Sequence, residues 1–453
     1  MEELLKKQRQ YFSSGKTRSL DFRVKKLLKL RNYILENEKS ITDALKADLN
    51  KSQTESYMTE IGVVLEEIKY ALKNIKSWMK PEKVKTPLTQ FRAQSYIYSE
   101  PYGLSLIIGT WNYPFLLCFS PLIGAVVAGN CAIVKPSEVS PNCSKIISKI
   151  IKDVFDEEHV KSIEGGVETA TQLLSQNFDY IFYTGSVNVG RIVMQAASKN
   201  LTPVTLELGG KSPCIIDKEI DIEVTARRIV WGKFMNAGQT CIAPDYLYVH
   251  KKVKKELIEA IGKSIKELYG DNQKESPDYP RIVNEKHLDR LLGLMNKGKI
   301  VIGGESDKSN LYIAPTIIDE INWEDPIMQE EIFGPILPIM EYNNLDEVIE
   351  AINSHPKPLA LYLFSDNKEV QQKIIEKTSS GGICINSPTY HQVSSLLPFG
   401  GVGDSGMGNY HGKFSFNTFS HKKAVVIKSF FPDLKIMYPP YKGKLRLLRK
   451  IWG

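Results

Sequence analysis

Asp179-Tyr-Ile-Phe-Tyr-Thr-Gly-Ser-Val-Asn-Val-Gly190 decides the fold of this chain. Tyr180 to Tyr183 form an unbroken run of large apolar and aromatic side chains, as suits a strand buried on both faces, and Thr184 to Gly190 then open a helix that runs through Ser198. A glycine pair spaced like Gly185 and Gly190, after a strand and before a helix, lets a pyrophosphate approach backbone N–H groups at a helix N-terminus. The spacing is not the usual GxGxxG, and an ordinary strand-to-helix turn also accounts for it.

The same alternation extends in both directions. Leu104 to Ile108 and Cys131 to Val134 read as buried strands, and Ser140-Pro141 starts a helix with Ile146, Ile147, Ile150, Ile151 and Val154 on one face. Downstream, Pro213 to Ile216, Tyr246 to Val249 and Leu359 to Phe364 are strand-like, while Val253 to Leu268 and Lys368 to Lys377 are helical. Strands that alternate with helices predict an α/β fold with parallel sheets covered on both faces. The boundary between two such blocks falls near Thr205 to Lys211, where a strand ends in Gly209-Gly210.

Before the first block, residues 1 to 79 read as helices with charged outer faces. In Tyr57 to Trp78, Met58, Ile61, Leu65, Ile68, Leu72, Ile75 and Trp78 recur at helical spacing, which reads as packing rather than chemistry. Pro81 and Pro87 break that pattern, and Phe91 to Ser99 alternate like a strand, predicting an arm that leaves the first body.

With 453 residues, 42% hydrophobic and 25% charged, the composition is that of an ordinary globular protein of two or three domains. No run of about 18 apolar residues is present, so no membrane span is expected. Six cysteines at 118, 131, 143, 214, 241 and 384 lack CxxC or zinc-type spacing, and Met1-Glu-Glu-Leu-Leu-Lys-Lys leads into charged helix instead of a signal peptide. The expected setting is a reducing cytosol, with no disulfides and no metal site. The net charge of +7 is concentrated at residues 434 to 453, where Lys435, Lys442, Lys444, Arg446, Arg449 and Lys450 meet no acid. Such a tail is either a solvated basic end or a peripheral contact for anionic membrane, and no nucleic-acid module accompanies it.

Chemistry points to Phe234-Met-Asn-Ala-Gly-Gln-Thr-Cys-Ile-Ala-Pro-Asp245. Cys241 follows a helix-like run from Ile222 to Met235, in a turn that carries Gly238 and is stopped by Pro244, so its thiol is presented at the end of an element. A free cysteine is commonly a small buried hydrophobe. As a nucleophile it would need an electropositive, partly exposed site to lower its pKa.

Seven segments, in order, resemble the aldehyde dehydrogenase superfamily over most of the chain: Thr110-Trp-Asn-Tyr-Pro114, Lys135-Pro-Ser-Glu138, Tyr183-Thr-Gly-Ser186, Leu206-Glu-Leu-Gly-Gly-Lys-Ser-Pro213, Gly238-Gln-Thr-Cys-Ile-Ala-Pro-Asp245, Gln329-Glu-Glu-Ile-Phe-Gly-Pro335 and Pro398-Phe-Gly-Gly-Val-Gly-Asp-Ser-Gly-Met-Gly408. The short N-terminus, Lys135-Pro-Ser-Glu138 and Asn409-Tyr-His-Gly-Lys-Phe-Ser-Phe416 look most like the class 3 branch, which includes fatty and aromatic aldehyde dehydrogenases. The resemblance implies a Rossmann-type NAD(P)-binding domain (1–80 and 103–207), a catalytic α/β domain (208–405), and a bridging oligomerisation element (81–102 and 406–433) ahead of the basic tail. It implies a homodimer, with the Phe91 to Ser99 arm and Ala424-Val-Val-Ile427 as candidate surfaces.

It also implies the site residues. Cys241 would add to the aldehyde to form a thiohemiacetal, Asn112 and the Cys241 N–H would hold the oxyanion, and hydride transfer to nicotinamide would leave a thioester. Glu207 would activate the hydrolytic water, with Glu331 a second candidate base. Trp111, Gly185, Ser186, Gly190 and Gly209 would line the cofactor site, with Glu331 on the nicotinamide ribose and Phe333 beside the ring. Lys135 and Glu138 would contact the adenosine ribose hydroxyls, which predicts NAD with some use of NADP. A coenzyme A-acylating enzyme and a non-catalytic membrane-peripheral protein are the alternatives; Glu207 argues against the first, and the intact Cys241, Glu207 and Asn112 set against the second. Ser387 to Leu397, at the substrate entrance, departs from the family pattern, and His391 and His411 near that mouth read as packing or hydrogen-bonding residues.

Overall fold

The computed structural model describes residues 1–452. Its first sheet has the order Val160–Ser162, Cys131–Lys135, Leu104–Ile108, Tyr180–Thr184, Val204–Glu207, Gly406–Met407, parallel throughout except for the last strand. Chain order therefore reverses beside Leu104–Ile108. From that strand the sheet first grows through Cys131–Lys135 to one edge, and then through Tyr180–Thr184 to the other. Crevices at such reversals, outside the carboxyl ends of the strands, are where α/β sheets bind ligands. Registers Ile108 to Lys135, Ile108 to Tyr183 and Thr184 to Glu207 bring those carboxyl ends level.

The strands form because their residues are buried on both faces, Leu104–Ile108, Cys131–Lys135 and Tyr180–Thr184 without interruption. Ser186 caps the Val187–Ser198 helix, its hydroxyl accepting from the Val189 N–H. Gly406–Met407 lies antiparallel to Leu206–Glu207, so part of the stretch read as bridging completes the edge of this sheet.

A second sheet runs Lys299–Ile302, Thr316–Asp319, Ile336–Tyr342, Tyr246–His250, Pro213–Ile216, Ala360–Phe364, Gly382–Ile385, with only the first strand antiparallel. A third joins Glu82–Val84, Ala93–Pro101 and Ser420–Lys428 in an antiparallel ribbon. The arm read from Phe91 to Ser99 is thus the middle strand of three.

The N-terminal helices depart from their reading at one place. Ile61, Ile68, Ile75 and Trp78 are buried, but Leu65 and Leu72 are only partly so and Met58 is 47% exposed. A π-helical turn over Tyr57–Ile61 separates Gln53–Ser56 from Gly62–Trp78, and its extra residue shifts the phase of everything before Ile61. Met58 consequently leaves the core and lines a cavity instead. Glu67, between the apolar positions of the same helix, is buried against Ser120 and His411.

Candidate functional site

The helix Ile222–Phe234 ends where the backbone turns left-handed for three residues in succession, Asn236 (φ 54°), Ala237 (φ 51°) and Gly238 (φ 74°). Two of these are not glycine, and each such residue costs about 1–2 kcal/mol. Buried hydrogen bonds hold the turn in place. The Gln239 amide donates to Asn236 O (3.0 Å) and Arg281 O (2.9 Å) and accepts from the Val283 N–H (3.0 Å). Asn236 donates through its side chain to Asn112 O (2.9 Å) and Gln239 O (3.0 Å), while its N–H donates to Glu55 (2.8 Å). A Cβ on Gly238 would lie 2.2 Å from Gly334 O, so glycine is what lets this turn pack on the segment carrying Phe333.

The turn delivers Cys241, partly exposed, to the wall between two cavities. One is a cleft of about 500 Å³ at the carboxyl edge of the first sheet, and it gathers Trp111, Asn112, Gly185, Ser186, Glu207, Gly209, Glu331 and Phe333. The other, about 270 Å³, is lined chiefly by carbon, including Met58, Leu116, Trp231, Tyr390, Val393 and Phe399. Met58, assigned to packing from helical spacing alone, thus belongs to the second cavity.

Glu207 and Asn112 are each 2% exposed. Both Glu207 carboxylate oxygens are buried without a partner, and burial pushes its pKa well above the usual carboxylate range. One Asn112 amide hydrogen goes to Gln239 O (3.0 Å), and Asn112 Oδ1 has no partner. Glu331 lies over Gly209, where a Cβ would meet its carboxylate at 2.2 Å. Burial, with Asp245 nearby, pushes the Glu331 pKa up to about 8.

The expectation of an electropositive setting for Cys241 is not met. Burial pushes the thiol's pKa up, and the neighbouring charges that act on it, Glu331 and then Glu207, push it the same way. The left-handed turn presents the sulfur at a place where carboxylates converge.

Three expected cofactor residues lie outside the cleft lining. Lys135 ends its strand buried, its ammonium 2.6 Å from Glu138, whose side chain is 42% exposed. Gly190 sits in the first turn of its helix, where a Cβ would lie 2.7 Å from Leu208; its smallness serves close packing of helix on strand. His411 is buried with its Nδ1 hydrogen-bonded to Glu67, and His391 Nδ1 lies 3.1 Å from Cys384 Sγ. No cluster of three metal-ligating residues exists among the described residues.

Sequence reading missed the polar atoms behind the site: Lys51 in the link between two N-terminal helices, Glu55 and Glu60 in the helical turns that follow, and Asn236 and Gln239 in the turn before Cys241. Charges on an amphipathic helix read as its solvated face, so nothing local marks these as buried.

An aldehyde dehydrogenase family model matches residues 1–425. The chain is 51% identical to the 4,4'-diaponeurosporen-aldehyde dehydrogenase of Staphylococcus aureus (strain NCTC 8325 / PS 47), over 97% of this chain and 96% of that protein. It is 49% identical to the dimeric NADP-preferring aldehyde dehydrogenase of Rattus norvegicus, over 98% and 99%. Its fold superposes on a substrate-bound Staphylococcus aureus AldH with a TM-score of 0.98 at 50% identity, covering 100% of this chain and 99% of that one. The α/β architecture, the two cavities meeting at a cysteine and these likenesses lead to one assignment: the chain belongs to the aldehyde dehydrogenase family and is an NAD(P)-dependent aldehyde dehydrogenase.

Proposed function

We propose that this enzyme oxidises apolar aldehydes to free carboxylic acids at Cys241, and the observation that carries the reading is that this one thiol lines both the polar cleft and the apolar cavity. The cleft fits a dinucleotide: it lies at the reversal in strand order, opens on the capped N-terminus of Val187–Ser198, and has no side chain at Gly209 to block it. NAD(P) bound there supplies the acceptor for the electron pair and hydrogen that leave the aldehyde carbon. Trp111, Gly185, Ser186, Gly209, Glu331 and Phe333 would hold it, with Lys135 and Glu138 further along the same sheet edge and Gly190 allowing the helix its close approach. The Glu138 carboxylate favours ribose hydroxyls and hence NAD, while Lys135 beside it leaves room for NADP. In this reading 1–80 and 103–207 form the cofactor domain, 208–405 the catalytic domain, and 81–102 with 406–433 the bridge.

Cys241 attacks the planar carbonyl carbon and makes it tetrahedral. The second Asn112 amide hydrogen and the Cys241 N–H donate to the oxygen as it gains charge; losing one such donor typically lowers rate by about 10² to 10³. Once the carbon is oxidised, the acyl group is held on sulfur as a thioester. Glu207, with both oxygens unpartnered and its basicity raised by burial, takes a proton from the water that cleaves it. Glu331 is the second candidate base. A carboxylate with both acceptors free suits hydrolysis better than transfer to coenzyme A. Cys241→Ala is expected to abolish NADH formation from hexanal or benzaldehyde while NAD still binds, and the wild type to release acid without coenzyme A. A retained rate in the variant, or an absolute need for coenzyme A, would overturn this mechanism.

The acidic surroundings of the thiol have a measurable sign. Glu331 carries its charge above about pH 8, and there it raises the cost of forming a thiolate. Glu331→Gln should therefore shift the pH profile of Cys241 alkylation by iodoacetamide to lower pH and speed it most above pH 8; an unchanged profile would remove Glu331 from the sulfur's electrostatics.

Homodimerisation is proposed through the three-stranded ribbon. Ser420–Lys428 is the longer of its two outer strands, and Val426 and Ile427 are more than half exposed on it. A light-scattering mass of two chains is expected, and a mass of one would contradict it.

The basic end is proposed to touch anionic membrane from the cytosolic side. Leu445–Trp452 is a short helix with Leu445, Leu447, Arg446, Arg449 and Lys450 exposed, and Phe430 and Phe431 stand fully or largely in solvent nearby. No helix among the described residues is long and apolar enough to cross a bilayer. Deleting residues 434 to 453 should reduce sedimentation with anionic vesicles, and equal sedimentation would discard the contact.

A further inference from the structure

Behind the wall that carries Asn112 and Cys241 lies an ion pair wholly cut off from solvent. Lys51 Nζ is 2.6 Å from Glu60 Oε1, and neither side chain has any exposed surface. Breaking a buried pair by removing one partner is strongly destabilising, so a chain that keeps one there holds both charges in a fixed place.

Every other contact of the two groups leads to the segment Trp111 to Leu116. The Lys51 ammonium donates to Asn112 O at 3.0 Å and sits 3.9 Å above the centre of the Tyr113 ring. Glu60 Oε2 accepts from the N–H groups of Phe115 (2.9 Å) and Leu116 (3.2 Å), the otherwise unpaired donors at the start of the Pro114–Ala128 helix. One charge therefore grips the peptide carbonyl after Asn112, and its partner grips the helix that begins two residues later.

The Asn112 carbonyl has a second donor, Asn236 Nδ2 at 2.9 Å, from the left-handed turn that leads to Cys241. In return, the Asn112 side-chain amide donates to Gln239 O at 3.0 Å, two residues before the sulfur. Asn112 and the cysteine turn are thus cross-linked on one side, and Lys51 with Glu60 anchors Asn112 to the N-terminal helices on the other.

We propose that Lys51 and Glu60 are positioning residues for the oxidation, a buried charged clamp that fixes the Asn112 peptide so that its side-chain amide meets the oxygen of the substrate as it gains charge. Neither residue itself lines a cavity, and both act through the Asn112 to Leu116 segment that does. The inference rests on the proposed role of Asn112 as an oxyanion donor. A donor displaced by about 1 Å can cost roughly 10²-fold in rate.

The experiment is a double-mutant cycle on kcat and KM with hexanal and NAD, using Lys51→Met, Asn112→Ala and the two together, in protein checked for NAD binding and a cooperative melt. Asn112→Ala removes the amide but leaves the carbonyl that Lys51 holds. The expected result is a fall of about 10²-fold in kcat for Lys51→Met with KM for aldehyde little changed, partial recovery in Lys51→Arg, and a double variant no slower than Asn112→Ala alone. Should Lys51→Met leave Glu60 uncompensated and fail to fold, Lys51→Met with Glu60→Gln removes both charges and enters the same cycle. If Asn112→Ala is slow and the Lys51 effect adds to it undiminished, or if Lys51→Met has wild-type kcat, the clamp is refuted while the oxyanion role stands. If Asn112→Ala itself has wild-type kcat, that role fails, and the clamp falls with it.

Discussion

The site depends on a backbone turn that no ordinary helix end would make. Three left-handed residues after Phe234 reverse the chain in less than one helical turn and leave Cys241 on a wall where two cavities meet. At about 1–2 kcal/mol for each non-glycine residue, the turn would not persist alone. Several buried hydrogen bonds, worth about 1 kcal/mol each in net stability, offset it, and each would leave a buried polar atom unpaired if the turn relaxed. Asn236 and Gln239 therefore stabilise the conformation through the cost of losing it. The same bonds run to Asn112, so the geometry of the thiol and that of the neighbouring amide are one geometry.

The second constraint is electrostatic, and it runs against simple activation of the sulfur. Burial and two carboxylates disfavour the thiolate, yet the same burial makes those carboxylates stronger bases than carboxylates in water. Carboxylates made more basic in this way are better acceptors for a proton from sulfur or from water than carboxylates in solvent. That arrangement suits a cycle in which sulfur must lose a proton before attack and water must lose one before hydrolysis.

The fold was legible to the extent that it is written in periodicity. Tyr180–Thr184, Cys131–Lys135 and Lys368–Lys377 were readable because each is a short apolar run or an amphipathic repeat bounded by turn residues. Periodicity failed over Tyr57–Ile61, where a π-turn inserts a residue that leaves no mark in the pattern of side chains, and Met58 changed sides as a result. The turn around Cys241 suggested that residue, and the family resemblance added Glu207 and Asn112, but neither carried information on the acidity of the thiol's surroundings. That depends on Glu331, 90 positions away along the chain, and on the depth to which Glu207 is buried. Lys51, Glu55 and Glu60 were invisible for a related reason: a charge on a helix or in the link between two helices is read as solvated until the neighbouring element that buries it is known.

Two cavities that share a single thiol separate demands that would otherwise compete. The cleft at the edge of the first sheet takes Thr184 and Glu207 from strand ends levelled by register, and Trp111, Gly209, Glu331 and Phe333 from the loops around them. The apolar cavity is built from side chains of separate elements: the π-turn, the Pro114–Ala128 helix, Trp231 and the stretch from Thr389 to Val393. Exchanging Met58 or Val393 alters the shape offered to an aldehyde's tail and leaves every hydrogen bond around Asn112 and Gln239 intact, because neither side chain takes part in them. The shape of the apolar cavity is therefore separable from the hydrogen bonds that hold the turn. Tyr113 is the exception, since it lines the apolar cavity while its ring lies over Lys51 and its hydroxyl is 2.7 Å from Thr240 Oγ1. A change there would alter the apolar cavity and the packing over Lys51 together.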